Sequence, residues 1–112
     1  MRKPRLSAAK QRQLRRLIEE ATVDCYNEWE QASGFLTMIQ DHIACPVTAR
    51  VLGEAVQVID FDCGEGGTDV VAKCKRHGKT YKIGVLSLEW DQQPPKGTEW
   101  IEAYRAWLRG SA

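Results

Sequence analysis

Four carboxylates and three glycines stand within ten residues: Asp60, Asp62, Glu65 and Asp69, with Gly64, Gly66 and Gly67 between them. Carboxylate and carbonyl oxygens are the ligands of hard divalent cations, and calcium takes about six to eight of them in an adaptable geometry. Glycines let a loop turn its carbonyls inward. Counted from Asp60 as an EF-hand loop, the sixth position is Glu65 and the twelfth is Val71. That motif needs glycine and a bidentate glutamate there, between two helices, so an EF-hand is excluded. Two readings stay open: a cation loop of another kind, or a solvated acidic turn.

Other chemistry has less support. Cys25, Cys45, Cys63 and Cys74 include no Cys-x-x-Cys pair and no histidine at finger spacing. Reduced thiols are expected, with Cys25 and Cys74 as small core residues, although a zinc site assembled in space stays open. His42 ends a short helical element, and His77 falls in a hairpin turn, a poor place to hold a base in fixed geometry. No glycine-rich phosphate loop and no Gly-x-Ser-x-Gly motif occurs. The chain is therefore read as non-enzymatic.

The net charge of +1 conceals segregation. Residues 1–16 carry seven bases and no acid, residues 17–70 eleven acids against Arg50, and residues 71–112 eight bases against four acids. The middle acids must be solvated, paired with the basic ends or neutralised by cations. Lys73, Lys75, Arg76, Lys79 and Lys82 suggest a patch for nucleic acid, but pairing with the protein's own acids is the preferred reading.

Positioning these residues takes one domain. A basic tail over residues 1–6 precedes a single domain over 7–110, and no apolar run is long enough to cross a bilayer. With no apolar leader behind the basic N-terminus, a cytoplasmic location is expected. Ser7 caps a helix in which Leu14, Leu17, Ile18, Ala21, Cys25 and Trp29 form one stripe, while Glu20, Asp24 and Glu28 form an acidic row. Ser33-Gly34 is expected to end it. A short helix over Phe35–His42 follows, with Phe35, Met38 and Ile39 inward, and Pro46 forbids its continuation. Strands are then expected at Val47–Leu52, around Val56–Phe61, at Asp69–Cys74 and at Thr80–Val85, with a short fifth at Leu86–Trp90. Gly78 is expected at positive φ in the last hairpin. After a proline-rich linker, Thr98 caps a helix over Glu99–Leu108 whose Trp100, Ile101, Tyr104 and Trp107 clamp it onto the sheet, and Gly110 stops it. The fold class is α+β: a small bent antiparallel sheet, an SH3-like barrel, packed with an N-terminal, a short and a C-terminal helix.

Four strings carry a resemblance: Gly34-Phe35-Leu36-Thr37-Met38-Ile39-Gln40-Asp41-His42, Val51-Leu52-Gly53-Glu54, Val71-Ala72-Lys73-Cys74 and Glu99-Trp100-Ile101-Glu102-Ala103-Tyr104-Arg105-Ala106-Trp107. Together they resemble the small bacterial calcium-binding proteins of the CcbP type, first recognised in cyanobacteria, over about residues 34–109. The resemblance implies a small α+β protein that binds calcium through surface acids. It implies Asp41 and Glu54 as metal ligands and, more loosely, Asp60 and Asp62; the acidic loop itself holds Glu65 and Asp69 in reserve. Gln40, His42 and Ser87 depart from the family pattern, in which glutamate, asparagine and aspartate are usual, and so imply weaker binding.

The expected function is that of a weak cytoplasmic calcium buffer or sensor. The alternative is a non-catalytic protein-interaction module with an SH3-like core, whose acidic face recruits a basic partner. Neither reading involves nucleic acid or a membrane.

Overall fold

The computed structural model describes residues 7–91 and 93–110, so the expected basic tail at 1–6 lies outside the described residues. Helix α1 spans Ala8–Thr22, and Ser7 caps it by accepting the Lys10 N–H at 3.1 Å. The stripe does not continue in one helix to Trp29. Asp24 turns left-handed at φ 59°. Asn27 then caps a new helix: its Oδ1 accepts the Glu30 N–H, and its Nδ2 donates to Glu30 Oε1, each at 2.9 Å. Helix α2 runs Glu28–His42, straight through Ser33-Gly34. Trp29 is 68% exposed rather than in the core, and Glu20, Asp24 and Glu28 fall on α1, the turn and α2 instead of forming one row.

Gly34 was expected to stop a helix, but it lets two helices touch. A Cβ added there would lie 1.9 Å from the Ala21 carbonyl oxygen of α1. That approach puts Phe35 and Ile39 at the centre of the molecule, both at 0% exposure. Helix α2 packs on α1, on the last helix and on two strands, so it is the middle layer.

Strands β1 (Val47–Val51), β2 (Glu54–Cys63), β3 (Val70–Arg76) and β4 (Lys79–Gly84) form one antiparallel sheet in sequence order. The sheet is open, with β1 and β4 at its edges, so the expected barrel does not close. Leu52 and Gly53 in one turn, His77 and Gly78 in the other, all have positive φ. This is the pattern of two-residue turns that match strand twist. The expected fifth strand is instead a 3-10 turn at Val85–Ser87 and a lone bridge between Arg50 and Glu89.

Helix α3 spans Glu99–Arg109 and ends at Gly110, φ 66°. Its buried face is Trp100, Ile101, Ala103, Tyr104 and Ala106. It packs chiefly on α1 and α2, not on the sheet as expected, and Phe35 meets Tyr104 edge-on with ring centroids 5.7 Å apart. Thr98 is buried and makes no side-chain cap; Glu99 Oε2 accepts the Gly97 N–H instead. No helix among the described residues is long and apolar enough to cross a membrane.

Alanine in place of a mid-helix glycine ordinarily stabilises by about 0.5–1 kcal/mol. At Gly34 the sign should reverse, because the obstructing atom is backbone. Gly34→Ala should lower unfolding free energy in urea by about 1–3 kcal/mol, the usual scale of overpacking.

Candidate metal site

Strand β2 carries the site residues, and one irregularity decides which way they face. Val56 and Val58 point into the core and pair with Ala49 and Val47 of β1. The register against β3 then shifts between Val58 and Asp60. Ile59 is the extra residue, and it is exposed. Beyond this bulge the parity is inverted: Phe61 is 1% exposed, and Asp60 and Asp62 stand on the outer face.

Strand β1 ends opposite Val58, so β2 has no β1 partner from Ile59 to Cys63. Side chains satisfy that bare edge. Asp60 Oδ1 accepts the Phe61 N–H, and Asp62 Oδ1 accepts the Cys63 N–H, each at 2.8 Å. Gln40, near the end of α2, donates to the Phe61 carbonyl at 2.8 Å. The last turn of α2, which holds Asp41, is thereby tied to the stretch of β2 that holds Asp60 and Asp62. His42 Nδ1 lies 2.8 Å from the Met38 carbonyl, and its ring lies 5.0 Å from that of Trp100.

The Asp62 Oδ2 lies 3.9 Å from the Nζ of both Lys73 and Lys82. Asp62's carboxyl is held below the usual range chiefly by the Cys63 N–H; partial loss of water opposes this, and the two lysines add to it. Glu54 is elsewhere. It opens β2, six residues before Asp60, about 20 Å at strand rise, and pairs with Arg76. It cannot share one ion with Asp60 and Asp62.

The stretch Asp60–Asp69 does not wrap one point. Asp60 and Asp62 belong to the strand, Glu65 to the exposed turn, and Asp69 packs over Gly64 and Gly66, where an added Cβ would come within 2.8 and 3.4 Å of its side chain. Gly67 lies against the Trp29 ring, 3.3 Å from an added Cβ. Tyr104 of α3 anchors the loop: its hydroxyl accepts the Val70 N–H and donates to the Thr68 carbonyl, each at 3.2 Å.

The cysteines do not assemble. Cys25 is half-buried, Cys74 buried, and Cys45 and Cys63 exposed, all as free thiols. Burial pushes the Cys74 thiol up; partial loss of water and then the Asp60 charge do the same for Cys45, so neither is a ready thiolate. Among the described residues no three His, Cys, Asp or Glu side chains gather closely enough to hold a metal ion. The donors Asp60 and Asp62, on one face of β2, are hard oxygens and fit calcium in kind. Carboxylates alone do not fill its coordination shell, which leaves places for carbonyls and water.

Gln40, Lys73, Lys82 and Tyr104 were missed as parts of this region. For the two lysines the signal was alternation: once β3 and β4 are paired, Lys73 and Lys82 fall opposite each other on the outer face.

The architecture is α+β, three helices on an open antiparallel sheet, with Asp60 and Asp62 on the outer face of β2. The family model of CcbP-type calcium-binding proteins matches residues 15–108, and the chain belongs to that family. A solved structure of Anabaena CcbP superposes with a TM-score of 0.73 at 17% identity, covering 96% of this chain and 95% of that one. A second, of a calcium-binding protein in its calcium-binding form, gives 0.72 at 18% identity, covering 96% and 99%. At these identities the likeness is one of fold. No curated protein matches the chain.

Burial, first, and the Asp69 charge raise the Tyr104 phenol above its ordinary value, against the pull of the Val70 N–H. An acid raised on folding adds stability that is complete below its unfolded value, about 10, and lost as pH rises through the folded one. Tyr104→Phe should cost about 1–3 kcal/mol at neutral pH by orphaning the Val70 N–H and Thr68 carbonyl. It should also flatten the fall in thermal stability above about pH 10.

Proposed function

We propose that this chain is a non-enzymatic calcium-binding protein of the cytoplasm, acting as a weak buffer or sensor. Asp60 and Asp62 would hold the ion, with carbonyls and water completing its shell, while Asp41 lies on the helix that Gln40 ties to this stretch of β2. Calcium supplies charge neutralisation there. The protein's part is to hold two carboxylates on one strand face and to bring α2 beside them through the Gln40–Phe61 bond. The observation that carries the reading is the bulge-exposed pair Asp60 and Asp62 on a strand edge tied to the helix that bears Asp41, in a chain of a calcium-binding family. Few carboxylates and a shell completed by water favour low affinity, which suits a buffer or sensor.

Calorimetric titration with calcium should give saturable heat, and calcium at several times Kd should stabilise by about 1 kcal/mol. Asp60→Asn should weaken binding about tenfold or more, whereas Glu54→Gln should leave it unchanged. Trp100 fluorescence should follow occupancy, since its ring contacts His42 beside Asp41. Absence of heat and of any melting shift at millimolar calcium would sink the reading.

A second reading, a protein-interaction module, has one observation in its favour. Val23, Tyr26 and Trp29 are 66%, 87% and 68% exposed among Asp24, Glu28 and Glu30, an apolar patch in acidic surroundings that suits a basic amphipathic segment. Retention of a lysine-rich amphipathic helical peptide should then be salt-sensitive, independent of calcium and lost in Tyr26→Ser; equal retention by that variant removes the reading.

A further inference from the structure

We propose that the outer edge of β4 docks an extended acidic segment of a partner protein, in which carboxylates alternate with apolar side chains and which adds to the sheet as one more strand. The inference is independent of the calcium reading and uses a different surface from the acidic patch around Tyr26.

Three observations meet at this edge. The first concerns the backbone. On β1 the outer edge is occupied, because Arg50 and Glu89 each donate an N–H to the other's carbonyl at 2.8 Å. The bare part of β2 is closed by Asp60, Asp62 and Gln40. Strand β4 ends the sheet, and among the described residues no backbone hydrogen bond beyond the β3 ladder reaches Lys79–Gly84. A row of outward N–H and C=O groups is a template for an added strand.

The second is charge. Residues 70–84, the β3–β4 hairpin, hold Lys73, Lys75, Arg76, Lys79 and Lys82 and no acid. Arg76 is paired with Glu54, and Lys73 and Lys82 each lie 3.9 Å from Asp62 Oδ2. Lys75 and Lys79 are exposed and have no ion pair among the described residues. Lysine on an edge guards against pairing between copies of one chain, since a second copy brings the same bases. An acidic strand is instead drawn in.

The third is the alternation of faces. Tyr81 and Ile83 pair with Cys74 and Ala72, both 0% exposed, and so lie on the core side of the sheet. Thr80 and Lys82 pair with Lys75 and Lys73 on the outer side. On the core side, Tyr81 and Ile83 wall a groove of about 360 Å³ with Val51 and Val56. Tyr81 is 49% exposed there, and Leu52, at the rim, 93%. A strand laid along β4 turns alternate side chains to the two faces. Those on the core side would enter the groove, and those on the outer side would face Lys82, with Lys73 and Lys75 behind it. Acid alternating with apolar is the pattern that satisfies both. Nucleic acid fits less well: the outer side of β3 and β4 carries no aromatic ring on which a base could stack, and a phosphate chain uses neither the groove nor the free carbonyls.

The experiment is fluorescence anisotropy on the full chain, with calcium chelated and two labelled peptides of the six-residue length of β4. Both have the same composition: one alternates glutamate and valine, and the other has its glutamates in one block and its valines in another. The alternating peptide should bind about tenfold tighter than the block peptide, and high salt should weaken it. Lys82→Glu should weaken it about tenfold and Tyr81→Ser about threefold, whereas Arg15→Glu, the same change of net charge on α1, should leave it within about twofold. Urea unfolding checks each variant, and Lys75→Glu replaces Lys82→Glu if that chain folds poorly. Hydrogen exchange of the amides of residues 79–84 should slow when the alternating peptide is bound. Equal binding of the two peptides, equal loss in Arg15→Glu, or unchanged exchange in β4 overturns the inference. So does tighter binding of a thymine oligonucleotide than of the alternating peptide, or no peptide binding at millimolar protein.

Discussion

One extra residue in β2 governs what this surface can do. Side chains alternate along a strand, so without the bulge at Ile59 the run from Val56 would carry Asp60 and Asp62 into the core and Phe61 out to solvent. Burying two carboxylates without partners would cost far more than any local rearrangement. The bulge resolves the conflict and keeps Phe61 beneath α2. It also turns β2 away from β1 at the point where β1 ends, which opens the bare edge that the aspartates then close. The core and the candidate site are set by the same irregularity.

An unpaired strand edge invites pairing with another chain, and charge on the edge is a common protection. Here Asp60, Asp62 and Gln40 satisfy edge N–H and C=O groups with their own side chains. The site is thus part of the fold's edge protection. Each aspartate gives one oxygen to the backbone and keeps the other for solvent, a lysine or an ion. This division limits charge at the surface and explains why cation binding and sheet integrity draw on the same residues.

The middle layer decides where these parts meet. Gly34 brings α2 against α1, Phe35 and Ile39 fill the space above the sheet, and the two ends of α2 touch the loop and the loop-proximal half of the β2–β3 arm. Trp29, at the start of α2, lies on Gly67 in the loop; Gln40, near its end, holds Phe61 in β2. Tyr104 pins the loop between them through Thr68 and Val70. The glycine-rich stretch is accordingly a packed connection, and Glu65 and Asp69 stand apart from Asp60 and Asp62.

The sequence by itself determined the local features: the Ser7 cap, the four strands, the His77-Gly78 turn, the inward Phe35 and Ile39, the apolar stripe of α3 and its stop at Gly110. Each is written in neighbouring residues or in a period of two or about 3.6. It also determined family membership through the strings around Asp41, Glu54 and Trp100. Only the tertiary structure decided the rest. The Asn27–Glu30 cap ends the apparent long helix, and Gly34 reads as a stop until the Ala21 carbonyl is seen beside it. The sheet stays open, and the bulge, invisible in a bare alternation that merely looks irregular at Ile59, sends Asp60 and Asp62 outward. The family resemblance implied Glu54 as a ligand together with these acids, whereas an extended strand carries it away from them, to Arg76. The physical reason is that a cation site depends on which side chains share a face across different strands, and that is a property of register, not of order in the chain.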